Sequence, residues 1–66
     1  MEEPRLKALI VEILRMSDDK GLRIGEIQER IADVPMDMLR KTVYKMVQEQ
    51  ILIPGPGRTY RRYRLA

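Results

Sequence analysis

The residues with the clearest capacity for chemistry lie near the end of the chain, in the stretch RTYRRYR. Between Arg58 and Arg64 this stretch holds four arginines and two tyrosines and no acidic residue. A guanidinium group stays charged near neutral pH, and it can donate two parallel hydrogen bonds to one phosphate. The same stretch could also be a disordered arm or a solvated surface strand. Its function therefore depends on the secondary-structure elements that position it.

The charged residues are distributed unevenly along the chain. Residues 1–39 contain six Lys and Arg against nine Asp and Glu, a net charge of −3. Residues 40–66 contain seven Lys and Arg against Glu49 alone, a net charge of +6. An asymmetry of this kind indicates one surface that attracts a polyanion.

The composition argues against catalysis. Cysteine and histidine are both absent, which excludes a thiol nucleophile, a histidine base and the usual zinc ligands. Glu12, Glu26 and Glu29 lie in predicted helices, where acids without a pocket are typical of a solvated face. We therefore expect no enzyme, no metal and no cofactor.

The chain of 66 residues is long enough for one small domain, and we predict a single domain over residues 1–66. No apolar run approaches the roughly 18 residues of a membrane span, and the first residues carry acids where a signal peptide carries basic residues. We expect a cytoplasmic, nucleoid-associated protein or a nuclear one, without membrane contact.

The first half of the chain predicts two helices and a short strand. Apolar residues recur at helical spacing and predict helix 1 over about residues 4–16; they are Leu6, Leu9, Ile10, Ile13 and Leu14. The stretch SDDKG is typical of a turn, in which Gly21 can adopt the left-handed conformation. Leu22 and Ile24 alternate as in a minimal strand, and helix 2 follows over about residues 25–32.

Helix 3 is predicted to have two chemically different sides. Its apolar side is formed by Met36, Leu39, Val43, Met46 and Val47, and the pattern extends to Gln50. Its opposite side carries cationic and hydrogen-bonding residues, which are Asp37, Lys41, Tyr44, Lys45 and Gln48. The helix therefore presents a surface suited to a polar or anionic partner.

A hairpin is predicted after helix 3. The apolar residues ILI are followed by PGPG, a strong chain-reversing sequence, and then by RTYRRYRLA with its β-favouring threonine and tyrosines. If Tyr63 and Leu65 face the core, alternation turns Tyr60, Arg62 and Arg64 toward solvent. Arg58 then lies near the tip of the hairpin.

The order of helix, short strand, helix, helix and hairpin resembles the winged helix-turn-helix domains. The segments IGEIQERI, MLRKTVYKMVQEQILI and PGPGRTYRRYRL carry this resemblance, and the last segment corresponds to the wing. It implies a small α+β fold of three helices plus a C-terminal hairpin. It also implies that helix 3 enters the major groove of DNA while the wing contacts the flanking backbone.

The residues that would contact DNA are cationic or hydrogen-bonding side chains on helix 3 and on the wing. Asp37 shares the groove-facing side of helix 3. The candidate DNA-binding residues are Arg40, Lys41, Tyr44, Lys45, Gln48, Arg58, Tyr60, Arg61, Arg62 and Arg64.

A narrower similarity connects TVYKMVQEQILI and the closing YRLA to winged helices that bind left-handed Z-form nucleic acid. That family has an Asn four residues before a helix tyrosine and a Trp in the wing. Tyr44 matches the tyrosine and Tyr63 stands at the Trp position, whereas Arg40 replaces the Asn.

These observations favour a protein that binds double-stranded DNA, as a transcriptional regulator or another DNA-transaction factor. The alternative is a winged helix that uses the same basic face to bind an acidic protein within a larger complex. We also expect a homodimer, at least on DNA, because one small winged helix covers about half of a regulatory site. Val11 and Met38 lie off the main apolar stripes and could provide its contact.

Overall fold

The computed structural model describes residues 2–31, 33–57 and 61–66. Within them the chain forms a small α+β fold of three helices and a three-stranded antiparallel sheet, as predicted. The helices are α1 (Glu3–Arg15), α2 (Ile24–Arg30) and α3 (Met36–Gln48), and the strands are β1 (Leu22–Arg23), β2 (Leu52–Pro54) and β3 (Arg62–Leu65). None of the described helices is long and apolar enough to cross a membrane.

Helix α1 forms because its ends and its apolar stripe favour the same conformation. Pro4 lies in the first turn, where a missing N–H costs nothing, and Glu3 and Arg15 carry charges that complement the helix dipole. Leu6 and Ile10 are fully buried along the stripe. The helix therefore packs with one side against the rest of the fold.

Helix α2 begins directly after β1 and ends earlier than predicted. At its start, Glu26 Oε1 accepts a hydrogen bond from the backbone N–H of Arg23 at 2.9 Å, which satisfies one of the free donors there. At its end, Ile31 adopts an extended conformation with φ −122° and ψ 104°. This extended residue buries its side chain in the core, so the helix ends at Arg30.

The sheet places β3 between the other two strands. The strand order is β1-β3-β2, with both pairs antiparallel. Leu22 pairs with Tyr63 on one side of β3, and Leu52 pairs with Leu65 on the other. The predicted hairpin is therefore present as β2 and β3, and β1 extends it into a sheet.

One hydrophobic core joins the sheet to all three helices. Its fully or nearly fully buried members are Leu6, Ile10, Ile27, Leu39, Val43, Met46 and Leu52. Tyr63 is buried, as predicted for the inward face of β3, while Leu65 is half-buried. The core fixes which sides of α3 and of β3 remain available to a partner.

Candidate nucleic-acid interface

Helix α3 turns its polar side to solvent. Leu39, Val43 and Met46 are fully buried on the opposite side, which confirms the predicted orientation of the helix. The exposed residues are Asp37, Arg40, Lys41, Tyr44, Lys45 and Gln48. The cationic and hydrogen-bonding groups of α3 are thus presented together on one accessible surface.

The exposed surface of α3 is not uniform, because Lys45 is paired with α1. Its ammonium group lies 3.0 Å from Glu3 Oε1 and 3.3 Å from Glu3 Oε2. The hydrogen bond with Glu3 raises the pKa of Lys45 and lowers the pKa of Glu3. The ion pair favours the charged form of both groups, and the acid partly neutralises this edge of α3.

An open cleft of about 740 Å³ borders the other edge of α3. It lies between α2, α3 and the residues at the start of β3. Its lining contains three arginines, two glutamates and two tyrosines, namely Arg23, Arg40, Arg61, Glu26, Glu29, Tyr44 and Tyr63, together with smaller and apolar residues. The arginines can contact phosphates and the tyrosines can stack on planar groups, while the two glutamates offset part of the positive charge.

Arg61 connects the wing to this cleft. It immediately precedes β3, and its Nε donates a hydrogen bond to the carbonyl oxygen of Gly57 at 2.8 Å. That bond connects the Arg61 side chain to Gly57, and Arg61 is half-buried. Arg61 therefore lies on the same side of the molecule as Arg40 and Tyr44.

Tyr63 forms part of the cleft although sequence reasoning did not include it among the DNA contacts. It is 5% exposed and faces the core. Burial raises the pKa of its hydroxyl, neighbouring Tyr44 raises that pKa further, and Arg61 lowers it. The alternation along β3 carried this signal, because Arg61 and Tyr63 share one face of an extended segment.

Arg62 and Arg64 lie on the opposite, outer face of the sheet. Arg64 is exposed and pairs with Ile53, as expected from alternation. Arg62 also faces outward but is half-buried, because its Nη1 donates to the carbonyl oxygen of Gly21 at 3.1 Å and lies 3.6 Å from Glu26 Oε1. Arg62 therefore makes internal contacts as well as carrying charge.

The remaining predicted contacts, Arg58 and Tyr60, lie outside the described residues. Among the sequence-predicted residues that are described, the fold brings together Arg40, Tyr44 and Arg61, with Lys41 and Gln48 on the adjoining surface of α3. It separates Arg62 and Arg64 from this group.

Comparisons with protein-family models, with curated proteins and with solved structures find no match for this chain.

Proposed function

We propose that this chain is a winged helix that binds double-stranded DNA, as a transcriptional regulator or another DNA-transaction factor. One observation carries the proposal. Arg40, Lys41 and Gln48 are exposed on one helix, Arg40 and Lys41 form no ion pair within residues 2–31, 33–57 and 61–66, and Arg61 of the wing lines the same cleft as Arg40.

The chemistry of these groups suits the major groove, which admits an α-helix and displays a distinct donor and acceptor pattern for each base pair. Gln48 can pair with adenine, and Arg40 or Lys41 with guanine, each at about 1–3 kcal/mol of discrimination. Arg61 lies on the wing side of the cleft, where it can bind a backbone phosphate. Specificity then comes from α3, and part of the affinity comes from the wing.

Fluorescence anisotropy with a labelled duplex and a salt titration tests the proposal. If about four phosphates are neutralised, log K should fall with log salt at a slope of roughly −4. Arg40→Ala should weaken binding to a preferred site by about fivefold or more, as expected for a lost base contact. Arg61→Ala should weaken binding to all sequences and reduce the slope by about one unit.

The matched control is Arg30→Ala, because Arg30 is an exposed arginine at the end of α2 and does not line the cleft. If Arg30→Ala and Arg40→Ala reduce the affinity for DNA equally, binding depends on net charge alone. That result would contradict the proposed surface. No binding to any duplex at micromolar protein would end the DNA proposal. Capture of an acidic protein by the same face would then favour the protein-interaction alternative.

A Z-form duplex is a second candidate ligand, and the proximity of Tyr44 and Tyr63 in the cleft favours it. The two tyrosines occupy the positions at which the Z-form binders have a helix tyrosine and a wing tryptophan, although Arg40 replaces the asparagine. An alternating CG duplex in the same experiment separates the two ligands. Inversion of its circular dichroism spectrum on protein addition would support the Z-form, and an unchanged spectrum would restrict the proposal to right-handed DNA.

A further inference from the structure

The outer face of the sheet carries a second group of arginines. Arg23 of β1 lies directly opposite Arg62 of β3, and Arg64, two residues further along β3, shares that outward face. Ile53 of β2 lies opposite Arg64 and is 38% exposed. Three of the four outward-facing strand residues at these paired positions are therefore cationic.

This arrangement is electrostatically unfavourable in the isolated domain. Like charges directly opposite each other on neighbouring strands destabilise a sheet. Glu26 is the acid that contacts the group, at 3.6 Å from Arg62, and Arg64 has no acidic partner within the described parts of the chain. A bound polyanion would offset the repulsion, and arginine is well suited to phosphate because its planar group donates two hydrogen bonds at once.

Of the arginines on the outer face, Arg23 also lines the cleft beside α3. Leu22, Leu52 and Tyr63 turn the inner face of the sheet into the core, and Arg64 is exposed on the opposite face. Arg61 and Tyr63 line the cleft, but neither Arg62 nor Arg64 does. Arg64 is therefore exposed outside the surface proposed for the first duplex.

We propose that this outer face is a second DNA-binding surface, so that one chain bound to a duplex through α3 holds another duplex through Arg64 and its neighbours. The inference rests on the proposed function for the first duplex. A protein partner would need an apolar centre to the interface, but Ile53 is the one apolar side chain at these outward-facing paired positions. Backbone binding to DNA requires only cations.

A bridging experiment tests the second surface. An immobilised duplex is incubated with the protein and a fluorescent duplex, and the captured fluorescence is compared with single-duplex affinity measured by anisotropy. Arg64→Glu should reduce capture by about fivefold or more and change single-duplex affinity by less than about twofold, because it removes a phosphate contact from one surface only. Arg30→Glu, the matched reversal of an exposed arginine, should change neither quantity.

The possible outcomes separate this inference from the proposed function. Single-duplex binding without capture by the wild-type chain would overturn the second surface alone, as would capture that persists in Arg64→Glu. An Arg64→Glu variant that loses single-duplex affinity as strongly as Arg40→Ala would assign Arg64 to the surface around α3. That result would also overturn the second surface. Absence of any duplex binding would end both proposals. Thermal unfolding checks that the variant is folded, and Arg64→Gln replaces it in the same comparison if it is not.

Discussion

At the scale of single residues, Glu3 controls how much of the positive charge on α3 is available to a ligand. Lys45 is exposed on the proposed DNA side, but its ammonium group lies 3.0 Å from Glu3. A phosphate that approaches Lys45 must compete with this carboxylate. Because both groups are on the surface, the competition depends on salt and the pair can exchange partners.

We predict that Glu3→Gln increases affinity for double-stranded DNA. The substitution removes the acid while keeping the size of the side chain, so Lys45 becomes available for a phosphate. Affinity should rise by roughly two- to fivefold and the salt slope should steepen by about one unit, as expected for one further neutralised phosphate. Anisotropy titrations at several salt concentrations measure both quantities.

Two variants distinguish release of Lys45 from a change in net charge. Glu12→Gln removes the same charge from α1, where Glu12 pairs with Arg15 at 3.6 Å, and it should have a smaller effect. In the double variant Glu3→Gln/Lys45→Ala the gain should disappear. A gain that survives there would show that Lys45 is not the group released.

The pairing of Glu3 with Lys45 illustrates what the sequence could not reveal at this scale. The helical pattern of α3 correctly predicted that Lys45 is exposed, because burial of Leu39, Val43 and Met46 requires it. Glu3 lies 42 residues away along the chain, and only the packing of α1 against α3 brings the two side chains together. Long-range ion pairs of this kind have no local sequence signal.

At the scale of secondary-structure elements, Gly21 determines how β1 approaches β3. Its backbone is in the left-handed region with φ 77°, as its place in the predicted turn suggested. A Cβ atom at this position would collide with the carbonyl oxygen of Tyr63 in the central strand. The residue is therefore constrained both by its conformation and by the neighbouring backbone.

We predict that Gly21→Ala strongly destabilises the fold and Gly25→Ala does not. A left-handed alanine costs roughly 1–2 kcal/mol, and the collision with β3 adds to it. A domain of this size has a free energy of unfolding of only about 3–10 kcal/mol. Gly25 lies in α2, and a methyl group there would meet no atom within 4 Å, so alanine should stabilise the helix by roughly 0.5 kcal/mol. Urea unfolding followed by circular dichroism measures both, and equal stabilities of the two variants would contradict the close approach.

The end of α3 shows where local patterns fail for an element. The apolar pattern extended to Gln50, but α3 ends at Gln48 and Gln50 is exposed with φ 63°. The N–H of Ile51 bonds to the carbonyl of Met46 at 2.9 Å, and the N–H of Gln50 bonds to the carbonyl of Val47 at 3.0 Å. These are the two hydrogen bonds of a Schellman motif. The motif usually has glycine at the position of Gln50. Without that glycine the sequence does not indicate where α3 ends.

At the scale of the whole molecule, the uneven charge of the chain becomes an uneven surface. The basic segment after residue 39 supplies most of α3 and both strands of the hairpin. The sequence therefore predicted the architecture and which element carries the positive charge. It could not predict how the arginines divide between the cleft and the outer face, since that depends on the pairing of β1 with β3.

The dimensions of the domain bear on the number of chains that one DNA site requires. Its longest extent is 29 Å, which is shorter than one turn of DNA at about 34–36 Å. Val11 and Met38, which the sequence offers for a dimer contact, are half-buried against the core. In the described residues the large exposed hydrophobic side chains are instead Met16, Tyr44, Ile51 and Ile53. Because these side chains are few, we expect two chains to associate only when both are bound to DNA.

We predict that two chains bind a two-fold symmetric site cooperatively, with half-sites about 10 base pairs apart. DNA holds both chains at a high effective concentration, so weak contacts between them become sufficient. Inserting about five base pairs between the half-sites places the chains on opposite sides of the duplex and should abolish cooperativity, whereas about ten base pairs should restore the shared face. Sedimentation velocity gives the stoichiometry, and anisotropy gives the cooperativity. Saturation with one chain on the symmetric site, or cooperativity that ignores the insertion, would show that the domain acts alone.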